Sequence, residues 1–360
     1  MNILNNIRLE KVLEVMRKDK VDQLLLCDPS SIFYLTNKWI YPGERMHILS
    51  ILSNGDVKFF VNKLFPIEED LGIEIVRLDD IDDQIKILAE DIIPRVVGVD
   101  KNLVAKFLIP IMNRVDDADF IDASYIVDDL RALKDIEEIE IMEKSSKIND
   151  KAMEKMKSKL SENLSEKEMA EFLANVYKEF GASGFSFEPI IAYGKNGADP
   201  HHSNDMSLKV EGDSIIVDMG CIYNDYCSDM TRTFFYKSVS EKSKEVYETV
   251  LKANLAAIAT VKPGVKLSDI DKAARDVIED AGYGEYFTHR TGHFIGIETH
   301  DVGDVSAANE NICQVGNIFS IEPGIYLTGE VGVRIEDLVI VTEDGCKILN
   351  SFSKDLQIIE

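Results

Sequence analysis

The sequence predicts an α+β protein of two domains: an α/β domain over residues 1–125, then a larger domain over residues 126–360 that holds the chemistry. Three observations carry that reading. Helix and strand signals alternate through the first domain, a hairpin across 215–234 places one carboxylate on each arm, and five of the six histidines fall between His201 and His300. With 360 residues and 45% hydrophobic content, the chain is long enough for two cores and too apolar to be disordered.

Charge narrows the function. Lys and Arg total 40 against 65 Asp and Glu, a net charge of -25, which repels phosphate backbones and anionic lipid. Nucleic acid and membrane surfaces are therefore not expected partners. Met1 to Lys20 spaces Ile, Leu and Val among charges without the apolar run of a signal peptide, and no stretch approaches a membrane span; the cytoplasm is the expected location. Cys27, Cys221, Cys227, Cys313 and Cys346 contain no CxxC and suit reduced thiols. Cys221 and Cys227 flank the hairpin turn, where packing is expected and a disulfide is the alternative.

Taken in order, Asn2 to Lys18 carries Ile3, Leu4, Ile7, Val12, Val15 and Met16 at the spacing of an amphipathic helix. Val21 to Leu26 reads as a strand, and Asp28-Pro29-Ser30 as a helix start before Ser31 to Leu35. His47 to Leu52 and Val57 to Val61 form a hairpin around Asn54-Gly55. Ile73 to Val76 and Val96 to Val99 are short strands around a helix near Ile81 to Ile92. Asp122 to Val127 crosses into the second domain. There Asp135 to Lys159 is a long helix with an apolar stripe of Ile136, Ile139, Met142, Ile148, Met153 and Met156, read as core packing. Ser165 to Phe180 is a helix opened by a capping box at Ser165 and Glu168. Helices near Ser240 to Thr260 and Leu267 to Ala281 take Ser240 and Ser268 as N-caps, with Gly264 and Gly282 past their ends. The tail from Asn317 is β again, with Val331 to Val341 as its longest strand.

The hairpin organises the second domain. Opposite residues of an antiparallel pair have a constant index sum and side chains alternate faces. The sum for Asp218 and Asp229 is odd, so any even loop puts both carboxylates on one face, opposite or diagonal; centred on Tyr223-Asn224 they face each other directly. Ile216, Val217 and Met219 suggest a strand buried on both sides. A buried carboxylate pair requires a cation or a shared proton; an exposed hairpin with ordinary acidic residues is the competing reading of this stretch alone.

Three histidines, His289, His293 and His300, then fall in one glycine-containing segment, and Glu322 and Glu336 interrupt apolar β runs. Four carboxylates and one imidazole form a hard, oxygen-rich set suited to two divalent first-row ions. Four negative ligands offset two dications. Such ions, roughly 3.5–4 Å apart, can hold a water between them and lower its pKa.

Asp218, Asp229, His293, Glu322 and Glu336 stand in the order and contexts of the pita-bread metallopeptidases, and the chain resembles their Xaa-Pro branch, aminopeptidase P and prolidase. The motifs that carry the resemblance are Ser228-Asp229-Met230-Thr231-Arg232-Thr233 and Glu322-Pro323-Gly324-Ile325-Tyr326. Ser31 to Thr36 is similar to the creatinase-like N-terminal domain of that family, and Leu130 to Lys134 to its domain join. The resemblance implies a creatinase-like α/β domain followed by a pita-bread catalytic domain. It implies a homodimer acting on peptides with proline at the second position.

The roles it implies follow residue by residue. Asp218 chelates one metal, Asp229 and Glu336 bridge both, and His293 and Glu322 complete the metal that meets substrate. The ions are two divalent cations, manganese first, with cobalt, zinc or iron as alternatives. Hydrolysis proceeds by metal-bound hydroxide, with Glu322 passing a proton to the departing proline nitrogen. His201 and His300 face the substrate carbonyl as donors. Thr231 and Arg334 orient ligating carboxylates, and His202 and His289 either support the site or are structural.

Two positions depart from the family pattern. Phe294 follows the ligand histidine where glycine is common, placing a ring beside the metal. Asp304 stands about where prolidases carry an arginine for the dipeptide carboxylate, which favours an Xaa-Pro aminopeptidase over an Xaa-Pro dipeptidase unless Arg290 or the first domain supplies the charge. Methionine aminopeptidase shares the ligands but not the extra domain. A metal-free creatinase-like hydrolase or a non-catalytic binding module would be expected to show eroded ligand positions, and all five are intact. Trp39 and Tyr41 are candidates for a lid over a partner's site, or for packing within their own domain.

Overall fold

The computed structural model describes residues 4–360, which divide into two compact units, one reaching Arg131 and one beginning at Ala132. In the first, the opening helix spans Asn6–Asp19, capped by the Asn5 side chain on the Arg8 amide. Of the longer helix expected from Asn2, Asn2 and Ile3 lie outside the described residues, and Leu4 precedes the cap. A six-stranded sheet runs in the order Glu74–Leu78, Val57–Asn62, His47–Leu52, Gln23–Leu26, Val96–Val99, Asp119–Asp122. The three central strands pair antiparallel and the flanking ones parallel. Asp28 caps the helix Pro29–Thr36, with proline at its first position where no amide is needed.

The helix expected near Ile81 to Ile92 is shorter, Gln84–Ala89, because Asp79 to Asp83 close a turn and Asp83 becomes the cap. Two elements carry no clear sequence signal, the helix Ala105–Met112 and the strand Asp119–Asp122. The segment expected as a crossing contains the helix Tyr125–Ala132. Trp39 stacks between Phe33 and Tyr41, with ring centroids 4.4 and 5.4 Å away, so it packs within its own domain.

The second unit contains two helix pairs and two cores. Ile136–Lys159 and Glu166–Glu179 pack against the strands Ile190–Tyr193, Ser214–Met219 and Met230–Tyr236. Glu241–Thr260 and Leu267–Asp280 pack against Ile318–Ile321, Gly324–Leu327, Val331–Arg334 and Asp337–Val341. The capping boxes at Asp135 and Ser165 are both formed. The methionines of the long helix are core, but Ile136 is 79% exposed and leaves the stripe. Ser240 caps its helix, whereas Ser268 does not cap the next. That helix starts at Leu267, whose amide and that of Ser268 are taken by the carbonyls of Asn311 and Asn309.

The hairpin turns one residue later than a centre at Tyr223-Asn224 would place it. Tyr223 pairs with Tyr226, leaving Asn224 and Asp225 as the loop at φ 45° and 67°, the paired left-handed geometry of a type I′ turn. Asp218 therefore sits opposite Thr231 and diagonal to Asp229, on the same face.

The expected strand Val331 to Val341 is broken. Val331–Arg334 pairs with Gly324–Leu327, while Asp337–Val341 pairs with Ile318–Ile321 in another sheet. Glu336 sits in this break and Glu322 in the matching break of the partner run, before Pro323. The exposed backbone groups are satisfied from elsewhere: the Glu322 amide donates to Thr291 O, the Glu336 amide to Thr231 O, and buried Asn254 donates to both Ile321 O and Ile335 O. Both carboxylates thus leave the ladder and face one cavity.

Candidate metal centre

A cavity of about 540 Å³ in the second unit is lined by Asp218, Asp229, His293, Glu322 and Glu336, the five residues expected as ligands. His201, His289, His300, Arg290 and Arg334 share the lining, with Phe187, Ile190 and Pro200 as its apolar wall. The volume is that of an ordinary ligand pocket. Ligand-type atoms of Asp229, His293 and Glu336 lie within 4.8 Å of one another. His293 Nε2 is 3.6 Å from Asp229 Oδ2 and 3.5 Å from Glu322 Oε1.

The residues fit a cation centre. Asp218 Oδ1, Asp229 Oδ1 and Glu336 Oε1 are buried and have no hydrogen-bond partner, a costly state for carboxylates unless a cation satisfies them. Two of the companion oxygens are engaged: Arg334 donates to Asp218 Oδ2 at 2.6 Å and Thr231 Oγ1 to Glu336 Oε2 at 2.7 Å. These are the orienting contacts expected of Arg334 and Thr231. Ser320, not expected at the site from the sequence, accepts the His293 amide and donates to Glu322 Oε1; its place two residues before Glu322, on the same strand face, is the available signal. Gly292 precedes His293 because a Cβ there would collide with Ser320 O.

Tyr326, named in the sequence only as the end of the Glu322 to Tyr326 motif, also has a role here. Its hydroxyl accepts from Arg334 at 2.9 Å and donates to His289 Nε2 at 2.8 Å, since His289 Nδ1 is committed to donating to Arg290 O. His289 thus steadies Arg334 and, through it, Asp218. Phe294 corrects the expectation of a ring beside the metal. Its ring is buried against Phe319, centroids 5.4 Å apart, and is absent from the cavity lining. Neighbours in a strand face opposite sides, so His293 in the cavity turns Phe294 into the core. Asp304 likewise stays out of the lining, its carboxylate accepting from Ser306. All five cysteines are free. Among the described residues, no helix is long and apolar enough to cross a membrane.

Crowding shows in the titration. Burial first, then Glu336, Asp218 and Glu322, hold the Asp229 carboxyl well above its ordinary range. Burial, Glu322 and Asp218 do the same to Glu336. Glu322 is pushed up to about 7 by burial, with Arg334 opposing and Asp218 adding. His293 is lowered to about 3 by burial and His300, so its imidazole is neutral and ready to ligate. A carboxyl raised in the folded state stabilises fully below its unfolded pKa and loses that contribution as pH rises through the folded value.

Metal-free protein is therefore expected to lose a few kcal/mol between pH ~5 and ~8, a fall of several degrees in melting temperature. Manganese should raise the melting temperature more at the upper end, because binding displaces those protons. A melting temperature flat over this window, or unmoved by the metal, would contradict the assignment of these carboxylates.

Residues 140–343 match the model of metallopeptidase family M24, and residues 8–133 that of the creatinase/prolidase N-terminal domain. Among solved structures, the chain is similar to a dipeptidase from Pyrococcus horikoshii (35% identity, TM-score 0.90, covering 98% of this chain and 99% of that one). It is similar to a prolidase from Thermococcus sibiricus (33%, 0.91, 99% of each). An X-Pro aminopeptidase from Thermotoga maritima also matches (27%, 0.86, 98% and 99%). The fold is thus a creatinase-like α/β domain followed by a pita-bread catalytic domain, and the chain belongs to metallopeptidase family M24.

Proposed function

We propose that this metallopeptidase hydrolyses the bond between an N-terminal residue and a following proline, using two divalent cations held by Asp218, Asp229, His293, Glu322 and Glu336, and that Xaa-Pro dipeptides are its preferred substrates. The observation behind the metal centre is the set of three buried carboxylate oxygens without partners in one cavity. Bound there, the cations would supply Lewis acidity and an activated water. The protein does the rest. Glu322 takes a proton from the attacking water and passes it to the proline nitrogen as the bond breaks. His300, whose pKa partial desolvation lowers from its ordinary value, and His201 offer N–H groups to the scissile carbonyl. Phe187 and Ile190 give the apolar wall a pyrrolidine ring requires.

The dipeptide preference rests on Arg290. It lines the cavity, and among the described residues its guanidinium has no ion-pair partner, whereas Arg334 is committed to Asp218 and Tyr326. Asp304, the residue that argued against a carboxylate clamp, is not in the lining. A charge-assisted bond is worth about 1.5–3 kcal/mol. Arg290→Gln is therefore expected to raise KM for an Xaa-Pro dipeptide by roughly ten- to a hundredfold while leaving an Xaa-Pro-Xaa tripeptide little affected. Equal effects on both substrates, or wild-type protein preferring the tripeptide, would replace this reading with Xaa-Pro aminopeptidase. One feature favours that second reading: a groove of about 510 Å³ shares Ile190 and His201 with the cavity and has room for residues beyond proline.

Manganese is the proposed metal and a homodimer the proposed assembly. Metal analysis and light scattering test them; a monomer would remove any role for Tyr41, 69% exposed, over a partner's site.

A further inference from the structure

Glu166 has no part in the proposed chemistry, yet its hydrogen bonds converge on one functional loop. It stands at the first position of the helix Glu166–Glu179 and is fully buried at 0% exposure. Its Oε1 accepts from the Tyr193 amide at 2.9 Å and Asn196 Nδ2 at 2.8 Å. Its Oε2 accepts from His202 Nε2 at 2.7 Å and the Asp205 amide at 3.1 Å. The four donors lie between residues 193 and 205, on both sides of His201. No ladder holds that stretch: between the strands Ile190–Tyr193 and Ser214–Met219 there is only the short 3-10 turn Gly194–Ala198. His201 lines the catalytic cavity and His202 does not; His202 instead meets Glu166.

We propose that Glu166 is a positioning residue: through His202 and the flanking amides it fixes the loop that presents His201 to the substrate. A carboxylate with four donors on two sides of one residue sets that residue's backbone in place before substrate arrives, which is where preorganised donors gain their effect. His202 is the handle, its ring held as the Nε2–H tautomer by the acceptor it faces. The proposal rests on the reading of His201 as a donor to the substrate carbonyl.

The test uses the full-length, manganese-loaded protein with the dipeptide Leu-Pro, measuring kcat and KM separately beside melting temperature. His202→Ala and Glu166→Gln are each expected to lower kcat about tenfold with KM nearly unchanged, and His202→Gln, which keeps a donor for Glu166, to recover most of the loss. In a His201→Ala background, His202→Ala should add little, because nothing remains to be positioned. Wild-type kcat in His202→Ala, or full additivity with His201→Ala, overturns the proposal and leaves the role of His201 standing. Near-normal activity of His201→Ala itself overturns that role and the proposal with it. Should Glu166→Gln not fold, the half-buried His202 carries the test.

Discussion

Replacing His293 by alanine is expected to abolish turnover while leaving the fold almost intact. The imidazole is the one nitrogen among the five residues of the candidate centre, within 3.6 Å of Asp229 and 3.5 Å of Glu322. In the proposed centre, losing it removes a ligand from the side where substrate is expected. If Lewis-acid stabilisation of about 4 kcal/mol goes with it, kcat falls about a thousandfold. Stability responds differently. The ring is neutral, its pKa lowered to about 3, so its removal strands no charge. The backbone anchors of this segment, the His293 amide on Ser320 Oγ and the short pairing with Asp304 and Val305, do not involve the side chain. A cost of about 1–2 kcal/mol is the ordinary scale for such a change. Turnover of Leu-Pro by the manganese-loaded variant, measured beside its unfolding curve, decides the matter; activity within tenfold of wild type would remove His293 from the centre.

Much of this site is legible in the sequence because carboxylates break rules that apolar strands obey. The parity of Asp218 and Asp229 requires a shared face whichever even loop forms, and the structure places them diagonally on one. Glu322 and Glu336 stand out as charges inside apolar runs. The break at Glu336 is not legible, because Ile335 and the residues after Asp337 continue a strand pattern without pause. What ends the strand is distant in sequence: Asn254 on Ile335 O and Thr231 O on the Glu336 amide. The place of Phe294 can be read, since alternation turns the neighbour of a cavity-facing histidine inward. Those of Arg290 and His201 cannot, for they sit on loops, and no periodicity tells which cavity a loop side chain faces. The Asn224-Asp225 pair itself announces the left-handed turn, and centring the hairpin there gives the observed register.

Asp337→Ala should destabilise the fold more than His293→Ala does, because it breaks a buried ion pair instead of removing a neutral ring. Arg232 is 1% exposed and donates to Asp337 Oδ1 at 2.7 Å, while Lys354 reaches Asp337 Oδ2 at 2.7 Å. Burial works against the charge on Asp337, but Arg232 and Lys354 outweigh it and hold the carboxyl below the ordinary range. Deleting the carboxylate strands a buried guanidinium, which costs about 3–5 kcal/mol. A depressed folded pKa means this contribution is present above the unfolded value near 3.8 and lost as pH falls through the lower folded one.

The same guanidinium donates to Thr231 O and Glu336 O, so it clamps backbone on both sides of the candidate centre. Stability and positioning can therefore be separated. Arg232→Met combined with Asp337→Leu removes both buried charges and should recover most of the stability lost in Asp337→Ala, since an apolar pair of similar volume is often as stable as the ion pair. Lys354, partly exposed, can turn to water. Activity should stay low, because the Glu336 carbonyl has lost its donor and the carboxylate its register. Urea midpoints and kcat for wild type, the single variant and the double variant decide it. An Asp337→Ala cost below about 1 kcal/mol would show that the carbonyls around Arg232 suffice to hold its charge, and full activity in the double variant would show that Glu336 keeps its place without it.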